Sequence, residues 1–196
     1  MSRPYESLLA KGEERRQHVL EVALRMMATG GGRATTLGQV ARAAGVSTAG
    51  LLHHFSSKEE LLHAVLDAGD AQDEAIADLD GDLESQLRSM RKRFDRPPGM
   101  VGTFIVLLCE SLDPDAPLHE RFLRRYRTGL AMIAAGIRRG QHAGRYRADV
   151  DPDIKAREVL AVLYGIEASW LLDPARPAAE VYAGYTSGLL EELCTH

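Results

Sequence analysis

The side chains best suited to specific chemistry lie close together between Ser47 and His54. This stretch offers the hydroxyl of Thr48 and the imidazoles of His53 and His54, beside the small residue Ala49 and a glycine. Hydroxyl and imidazole groups can exchange hydrogen bonds with base edges or phosphates, and a small residue lets a helix approach a base closely. The set is typical of a surface that reads a nucleic-acid groove.

Patterns of enzymes and metal centres are missing from the sequence. Ser47 lacks the second glycine of a nucleophile elbow, and the glycines at 30–32 are not followed by the Gly-Lys-Ser/Thr of a phosphate loop. His119 has no second histidine at zinc-protease spacing, and Cys109 and Cys194 are far apart. Cys109 lies in an apolar run and is expected in the core. We therefore predict no enzyme activity, no metal site and no cofactor.

Two short helices and a tight turn are expected to position the polar cluster. Thr36 and Gln39 form a capping box that begins the first helix, which stops at Gly45. Ser47 is the expected N-cap of the second helix, which ends near Phe55. This is the spacing of a DNA-binding helix-turn-helix. The predicted DNA contacts are Thr36, Ser47, Thr48, Ala49, Gly50, His53, His54 and Lys58.

The remaining segments also read as helices, because apolar residues recur three and four positions apart. A helix is expected over 13–28, ended by the glycines at 30–32, and Ser57 with Glu60 forms a second capping box. Asp151 before Pro152 is a strong helix start. The other predicted helices lie near 82–95, 99–112, 116–140, 152–172 and 177–194.

The sequence therefore predicts an all-α fold with two domains. A three-helix helix-turn-helix domain is expected over 1–57 and a larger helical bundle over 58–196. Charge changes close to this boundary, since residues 1–58 hold eight Lys/Arg and four Asp/Glu, a net charge of +4, whereas residues 59–196 carry −8. A basic head on an acidic body suits a protein that touches DNA with one end.

One motif carries a resemblance to a known family. Its first part is Thr36-Leu37-x-x-Val40-Ala41-x-x-Ala44-Gly45-Val46-Ser47, and its second part is Leu51-x-His53-His54-Phe55-x-Ser57-Lys58-Glu59-x-Leu61-Leu62. Together they resemble the N-terminal signature of the tetracycline-repressor-like (TetR) transcriptional regulators. The resemblance implies an all-helical homodimer, in which the first three helices bind a palindromic operator in double-stranded DNA. It also implies central helices around an effector pocket, and a four-helix dimer interface made by the last two helices.

The chain departs from the family pattern at Leu52. Family members often have a tyrosine there that reaches a phosphate, and leucine cannot donate a hydrogen bond. We expect His53 or His54 to replace that contact. The sequence contains no asparagine, so adenine readout by asparagine is excluded.

The resemblance and the apolar pattern together predict an effector site in the C-terminal domain. Ordinary bundle core is the alternative, and for any single residue the simpler interpretation, because pockets are themselves mostly apolar. The expected effector is apolar or aromatic, with Glu110 as a further polar contact. The predicted effector-binding residues are Phe94, Met100, Phe104, Leu107, Leu108, Ser111, Phe122, Tyr126, Leu130 and Tyr164.

The last two helices carry apolar surfaces that need a partner, either the same subunit or a second copy. We predict a dimer interface there, made by Val159, Leu163, Ile166, Trp170, Tyr182, Tyr185, Leu189 and Leu193.

The sequence favours a cytoplasmic, ligand-responsive DNA-binding regulator, most simply a repressor. No signal-peptide pattern is found, and the longest apolar stretch, 104–109, is too short to span a membrane. The alternative is a small-molecule-binding or adaptor protein with a degenerate helix-turn-helix, which Leu52 and the overall acidity support. Salt-dependent binding to duplex DNA separates the two.

Overall fold

The structure, a computed structural model, describes residues 4–96 and 98–194, with side chains over 10–96 and 101–194. The described chain is helical, and its one β feature is an isolated antiparallel bridge between Tyr146 and Cys194. The predicted all-α class is confirmed. The helices are α1 (Pro4–Ala34), α2 (Leu37–Ala43), α3 (Thr48–His54), α4 (Lys58–Glu74), α5 (Leu83–Arg91), a 3-10 turn (Lys92–Asp95), α6 (Pro98–Glu110), α7 (His119–His142), α8 (Pro152–Leu172) and α9 (Ala178–Leu193).

Local capping explains where most helices begin. The Thr36 hydroxyl accepts from the Gln39 amide while the Gln39 side chain accepts from the Thr36 amide, which confirms the first capping box. Asp151 caps α8 as predicted, with Pro152 in the first turn. The second box is half right: the Ser57 hydroxyl accepts from the Glu60 amide, but the Glu60 carboxylate binds the amide and hydroxyl of Ser56.

Two predictions from the sequence are wrong. The first helix begins at Pro4 rather than near residue 13, because a helix can extend past its apolar face where nothing breaks it. It is interrupted within the predicted glycine run, at Gly31, where φ is 76° and ψ is 164°. Cys109 is exposed and not in the core, since it lies on the outer face of α6.

Two apolar clusters hold the molecule together. The first joins α1–α4 to α6 and the start of α7, and the second joins α5, α7, α8 and α9. α1 packs along α6, and the Thr103 hydroxyl donates to the Leu24 carbonyl at 3.2 Å. The helix-turn-helix is therefore supported by a body helix as well as by its chain connection through α4.

Candidate nucleic-acid interface and ligand cavity

The turn between α2 and α3 has the geometry that its sequence predicts. Gly45 takes a φ of 66°, a left-handed conformation that glycine adopts without strain. The next amide, that of Val46, donates to the Ala41 carbonyl at 2.9 Å and so closes the turn. Leu51 and Phe55 are fully buried beneath α3. Because both anchors point inward, the opposite face of α3 is held outward on a rigid support.

The outward face of α3 carries most of the predicted DNA contacts. Ser47, Thr48, Ala49 and His53 are exposed, and His54 is half-buried. The Ser47 hydroxyl accepts a hydrogen bond from the Gly50 backbone amide at 3.0 Å. Its own hydrogen can still be donated to an outside acceptor.

Gly50 and Leu52 complete this surface in different ways. A side chain at Gly50 would lie 3.1 Å from the Ser47 hydroxyl, so the small residue protects the N-cap. Leu52 is 43% exposed and presents an apolar surface where the family often has tyrosine. α3 thus offers mainly small and hydroxyl-bearing groups, with the histidines at its C-terminal end.

Thr36 and Lys58 are engaged within the protein. The Thr36 hydroxyl already donates to Gln39 and accepts from its amide, so a phosphate would have to displace the capping box. The Lys58 ammonium donates to the Arg33 carbonyl at 2.8 Å, which leaves two of its three donors for another acceptor. Thr36 and Lys58 are therefore less available to an outside partner than the exposed residues of α3.

Sequence reasoning missed a basic strip on α1. The strip consists of Lys11 and Arg15, which are exposed. With Glu14 and His18 they border a groove of about 550 Å³ that also includes Ser47 and Gly50. The Lys11 and Arg15 cations lie beside the N-terminus of α3, where phosphates would pass if α3 entered a groove. The i, i+4 spacing of Lys11 and Arg15 was the available signal, but the first helix was expected to start after Lys11.

Glu110, at the end of α6, connects the helical body to the end of α1, next to the helix-turn-helix. Its carboxylate accepts from the amides of Gly32 at 2.9 Å and Arg33 at 3.2 Å, and the Arg33 guanidinium donates to the Glu110 carbonyl at 3.0 Å. A side chain at Gly31 would collide with this carboxylate. Glu110, expected as an effector contact, is thus committed to the C-terminal end of α1.

A cavity of about 760 Å³ opens between α4, α5, α7 and α8. Its volume falls in the range of drug-sized ligand sites. Of the predicted effector residues, Phe104 and Tyr164 line it.

The other predicted effector residues lie elsewhere. Phe94, Leu107 and Phe122 are buried in the two clusters, against which Leu108, Tyr126 and Leu130 pack. The Ser111 hydroxyl is satisfied by the Leu107 carbonyl at 2.7 Å. The prediction for Met100 lies outside the described side chains. Apolar spacing identified core helices correctly, but it could not tell which faces border a void.

The charged wall of the cavity was not predicted. Asp70 and Asp73 of α4 face Arg121 and Arg125 of α7; Arg121 donates to Asp70 at 2.6 Å and Arg125 to Asp73 at 2.7 Å. Arg125 also pairs with Asp70. We call these four residues the aspartate–arginine strap. Because its members are some 50 residues apart, no local pattern marks it.

A buried ion pair lies behind the strap. The Glu167 side chain is fully buried, and one carboxylate oxygen lies 3.1 Å from an Arg93 guanidinium nitrogen. Burial raises the pKa of Glu167 to about 6, against the opposing effect of the Arg93 charge. Burial likewise lowers the pKa of Arg125. Arg93 and Arg125 also lie over the Phe104 ring, at 5.8 Å and 4.6 Å from its centre.

Most of the predicted dimer residues are buried within the chain itself. Six of them are buried between α5, α7, α8 and α9: Val159, Leu163, Ile166, Tyr182, Leu189 and Leu193. The Tyr182 hydroxyl donates to the Leu87 carbonyl at 2.8 Å, so this face is closed within the subunit. Trp170 and Tyr185 are half-buried. Residues buried in this way cannot contact a partner, and the interface prediction needs other residues of the same helices.

The exposed faces of α8 and α9 carry apolar and small residues. Leu172 is 89% exposed and Ile154 is 58% exposed. We call this surface the α8–α9 stripe, made by Ile154, Ala161, Gly165, Ala168, Leu172, Val181, Gly184 and Gly188. None of the described helices is long and apolar enough to cross a membrane. The described part of the chain also contains no group of three His, Cys, Asp or Glu residues placed to hold a metal ion.

Comparison with known proteins agrees with this architecture. The family described as "Bacterial regulatory proteins, tetR family" matches residues 19–65. The HTH-type transcriptional regulator AcrR of Shigella flexneri is 35% identical over a match that covers 41% of this chain and 40% of that protein. The HTH-type transcriptional repressor AcnR of Corynebacterium diphtheriae is 28% identical over 77% of this chain and 78% of its own length.

A solved structure shows the same fold over nearly the whole chain. A TetR transcriptional regulator from Chloroflexus aurantiacus superposes with a TM-score of 0.77 at 24% identity, covering 95% of this chain and all of that chain. The sequence match falls on the capped α2–turn–α3 unit and its supports, and the structural match adds the helical body. The chain is therefore TetR-like: residues 19–65 match the family's regulatory-protein model, and the fold of the helix-turn-helix and of the helical body behind it is that of a solved TetR regulator.

Proposed function

We propose that this protein is a ligand-responsive DNA-binding repressor that acts as a dimer on a palindromic operator. The observation that carries the proposal is the exposed face of α3, held outward by buried Leu51 and Phe55. Its small and hydroxyl-bearing residues fit close approach to base edges in the major groove. The relatives are regulators and repressors rather than enzymes, which favours the same reading.

Phosphate contacts would come from groups around α3. The basic strip of Lys11 and Arg15, the Ser47 hydroxyl and the remaining donors of Lys58 surround the reading face. Such contacts fix the orientation of the head on the duplex, while Thr48, Ala49 and His53 would face the bases. In this proposal residues 1–57 form the DNA-binding domain and 58–196 the effector and dimerisation domain.

The α8–α9 stripe supports the dimer. Its α8 members recur at spacings of seven, four, three and four residues, so they form one continuous exposed face. Gly165, Gly184 and Gly188 allow close approach between helices. A second copy would bury this face by an isologous contact, and its twofold axis would match a palindromic site.

Ala168→Glu tests this arrangement. The substitution places a negative charge in the stripe. In a twofold contact the glutamates of both chains lie near each other and repel, so the dimer should dissociate. Light scattering at about 10 µM should give the monomer mass, because like-charge contacts cost several kcal/mol. Ala131→Glu adds the same charge to the exposed side of α7 and should leave a dimer. A dimer mass for Ala168→Glu would place the interface elsewhere.

The cavity and the strap support a ligand response. A small molecule between α4 and α7 would alter how α4 is held, and α4 carries the head at its N-terminal end. An effector with an apolar or aromatic body suits the lining by Phe104, Leu160 and Tyr164. It would release DNA only through different affinities for the two states, typically about 1–3 kcal/mol of coupling.

The test is selection of bound duplexes from a random library, followed by anisotropy of the winner across salt. Enrichment of a palindrome, with binding that weakens steeply as salt rises, is the expected result because phosphate contacts release counterions. Weak binding that ignores sequence would contradict the repressor proposal. It would favour a ligand-binding or adaptor protein whose exposed Leu52 marks a head that no longer reads DNA.

A further inference from the structure

The cavity has two chemically different walls. Met90, Met132, Leu160 and Leu163 supply an apolar wall from α5, α7 and α8. The opposite wall is charged, and its side chains come from α4, α7 and the 3-10 turn. A complementary ligand therefore has an apolar body and a polar or charged head. The sign of that head can be inferred from which charged groups are already paired.

The aspartates of the charged wall are already occupied. Asp70 accepts from both Arg121 and Arg125. Asp73 accepts from Arg125 and Arg96, each at 2.7 Å, and Arg93 lies 3.6 Å away. A cationic head could bind Asp70 or Asp73 only by displacing an arginine, which would leave a partly buried guanidinium without its partner. Glu74 also lines the cavity and makes no ion pair with the described side chains, but it is a single exposed carboxylate against several arginines.

The arginines, by contrast, have donors to spare. A guanidinium carries five N–H donors. The Arg93 Nε is buried and has no hydrogen-bond acceptor among the described residues. Arg124 also lines the cavity, is exposed, and makes no ion pair with the described side chains. Arg93 Nε and Arg124 are therefore open to an acceptor, and a carboxylate brings two acceptor oxygens. On the α5 side the buried Gln86 Oε1 lacks a donor within the described part of the chain, which a polar group on the ligand body could supply.

We infer that the ligand of this cavity is an amphipathic carboxylate, whose head binds the α7 arginines and whose body lies on the apolar wall. Arg121, Arg124 and Arg125 lie within one turn of α7 and all line the cavity. Guanidinium–carboxylate hydrogen bonds are short and strong, which favours this pairing. The inference rests on the proposed function, because it names the effector class of the same cavity.

This chemistry also explains how the ligand would act on α4. The carboxylate head competes with Asp70 and Asp73 for the guanidiniums of Arg121 and Arg125. Each hydrogen bond that moves from an aspartate to the ligand weakens the strap that fastens α4 to α7. The ligand is thus bound more tightly in the state in which α4 is released, and this difference in affinity can drive a population shift.

The charge of the ligand head is tested with three probes that share a ten-carbon alkyl tail: decanoate, decan-1-ol and decyltrimethylammonium. All are kept below their solubility limits and critical micelle concentrations. Calorimetric titration of the full chain without DNA should show decanoate binding at least about tenfold more tightly than either analogue, because one hydrogen bond to a charged group contributes about 1.5–3 kcal/mol. Equal or tighter binding of the alcohol or the ammonium compound overturns the inference.

Arg124→Gln and Arg125→Gln locate the head. Each should weaken decanoate about tenfold and leave decan-1-ol unchanged. Arg124→Gln removes no ion pair with a described side chain, so its fold should be intact even if Arg125→Gln, which loses two aspartate contacts, is destabilised. Arg127→Gln, exposed on α7 outside the cavity lining, is the matched control. Wild-type decanoate affinity in both cavity variants overturns the inference, whereas operator selection tests the proposed function separately.

Discussion

Replacing Ala49 with glutamate is expected to abolish specific operator binding while the protein stays folded. Ala49 is exposed on the outward face of α3, one turn before His53. A carboxylate there would face phosphates and base-edge acceptors, and such like-charge contacts cost several kcal/mol. With one glutamate in each half of the proposed dimer, affinity should fall about a thousandfold or more. Anisotropy with the selected operator measures the loss.

Ala131→Glu is again the control for added charge. It should bind the operator within about threefold of the parent chain, and both variants should unfold within about 0.5 kcal/mol of it, because neither side chain is buried. Near-parental operator affinity in Ala49→Glu would mean that α3 does not enter the groove with this face. The basic strip of α1 would then be the first surface to test.

The parts of the fold that the sequence predicted are those determined by nearest neighbours along the chain. The caps at Thr36, Ser47 and Asp151 each depend on a side chain and an amide at most three residues away. The turn at Gly45 depends on the backbone freedom of one residue. Because these interactions are local, residue type and spacing were enough to predict them.

The parts that the sequence did not predict depend on contacts between distant segments. Apolar spacing predicted that α8 and α9 have buried faces, but a subunit core and a dimer contact have the same residue types. In the structure Leu163 and Leu189 are buried within the chain, whereas Gly165 and Leu172 are on the exposed side of α8. Residue type alone does not distinguish these two faces. The cavity shows the same limit, since its charged wall unites α4 with α7.

Head-to-body contacts were hidden for the same reason. The Glu110 carboxylate meets the amides of Gly32 and Arg33 across 77–78 residues, and neither partner has a side-chain signature for that role. The glycine run at 30–32 predicted a break in the helix, and Gly31 has a φ of 76°. Nothing in the run predicted that the Glu110 carboxylate would lie beside it. The sequence thus predicts the helix-turn-helix well and its contacts with the helical body poorly.

The largest stability effect is expected from Arg93→Met. This substitution leaves the Glu167 carboxylate fully buried without the guanidinium 3.1 Å away. An uncompensated buried charge costs about 3–5 kcal/mol, whereas the exposed pair of Arg88 with Glu84 contributes about 1 kcal/mol or less. Urea unfolding at pH 8 should show that loss for Arg93→Met and almost none for Arg88→Met.

The loss should depend on pH, with a sign set by Glu167. Its pKa in the folded protein is about 6, above the ordinary value of 4.5, so the native state holds this proton more tightly than the unfolded state. The resulting stabilisation is complete below pH 4.5 and is lost as pH rises through 6. Without Arg93 the pKa rises further, and the loss of stability extends to higher pH. The penalty of Arg93→Met should therefore be at least about 1 kcal/mol smaller at pH 5 than at pH 8.

A second substitution separates a lost charge partner from lost packing. Arg93→Met combined with Glu167→Leu removes both charges, and a buried ion pair replaced by apolar residues is often neutral in stability. The double variant should recover most of the unfolding free energy and lose the pH dependence specific to Arg93→Met. If Arg93→Met is equally unstable at both pH values, or the double variant recovers nothing, then the cost comes from contacts of Arg93 with Asp73 and Phe104. In that case Glu167 is not the group that needs the guanidinium.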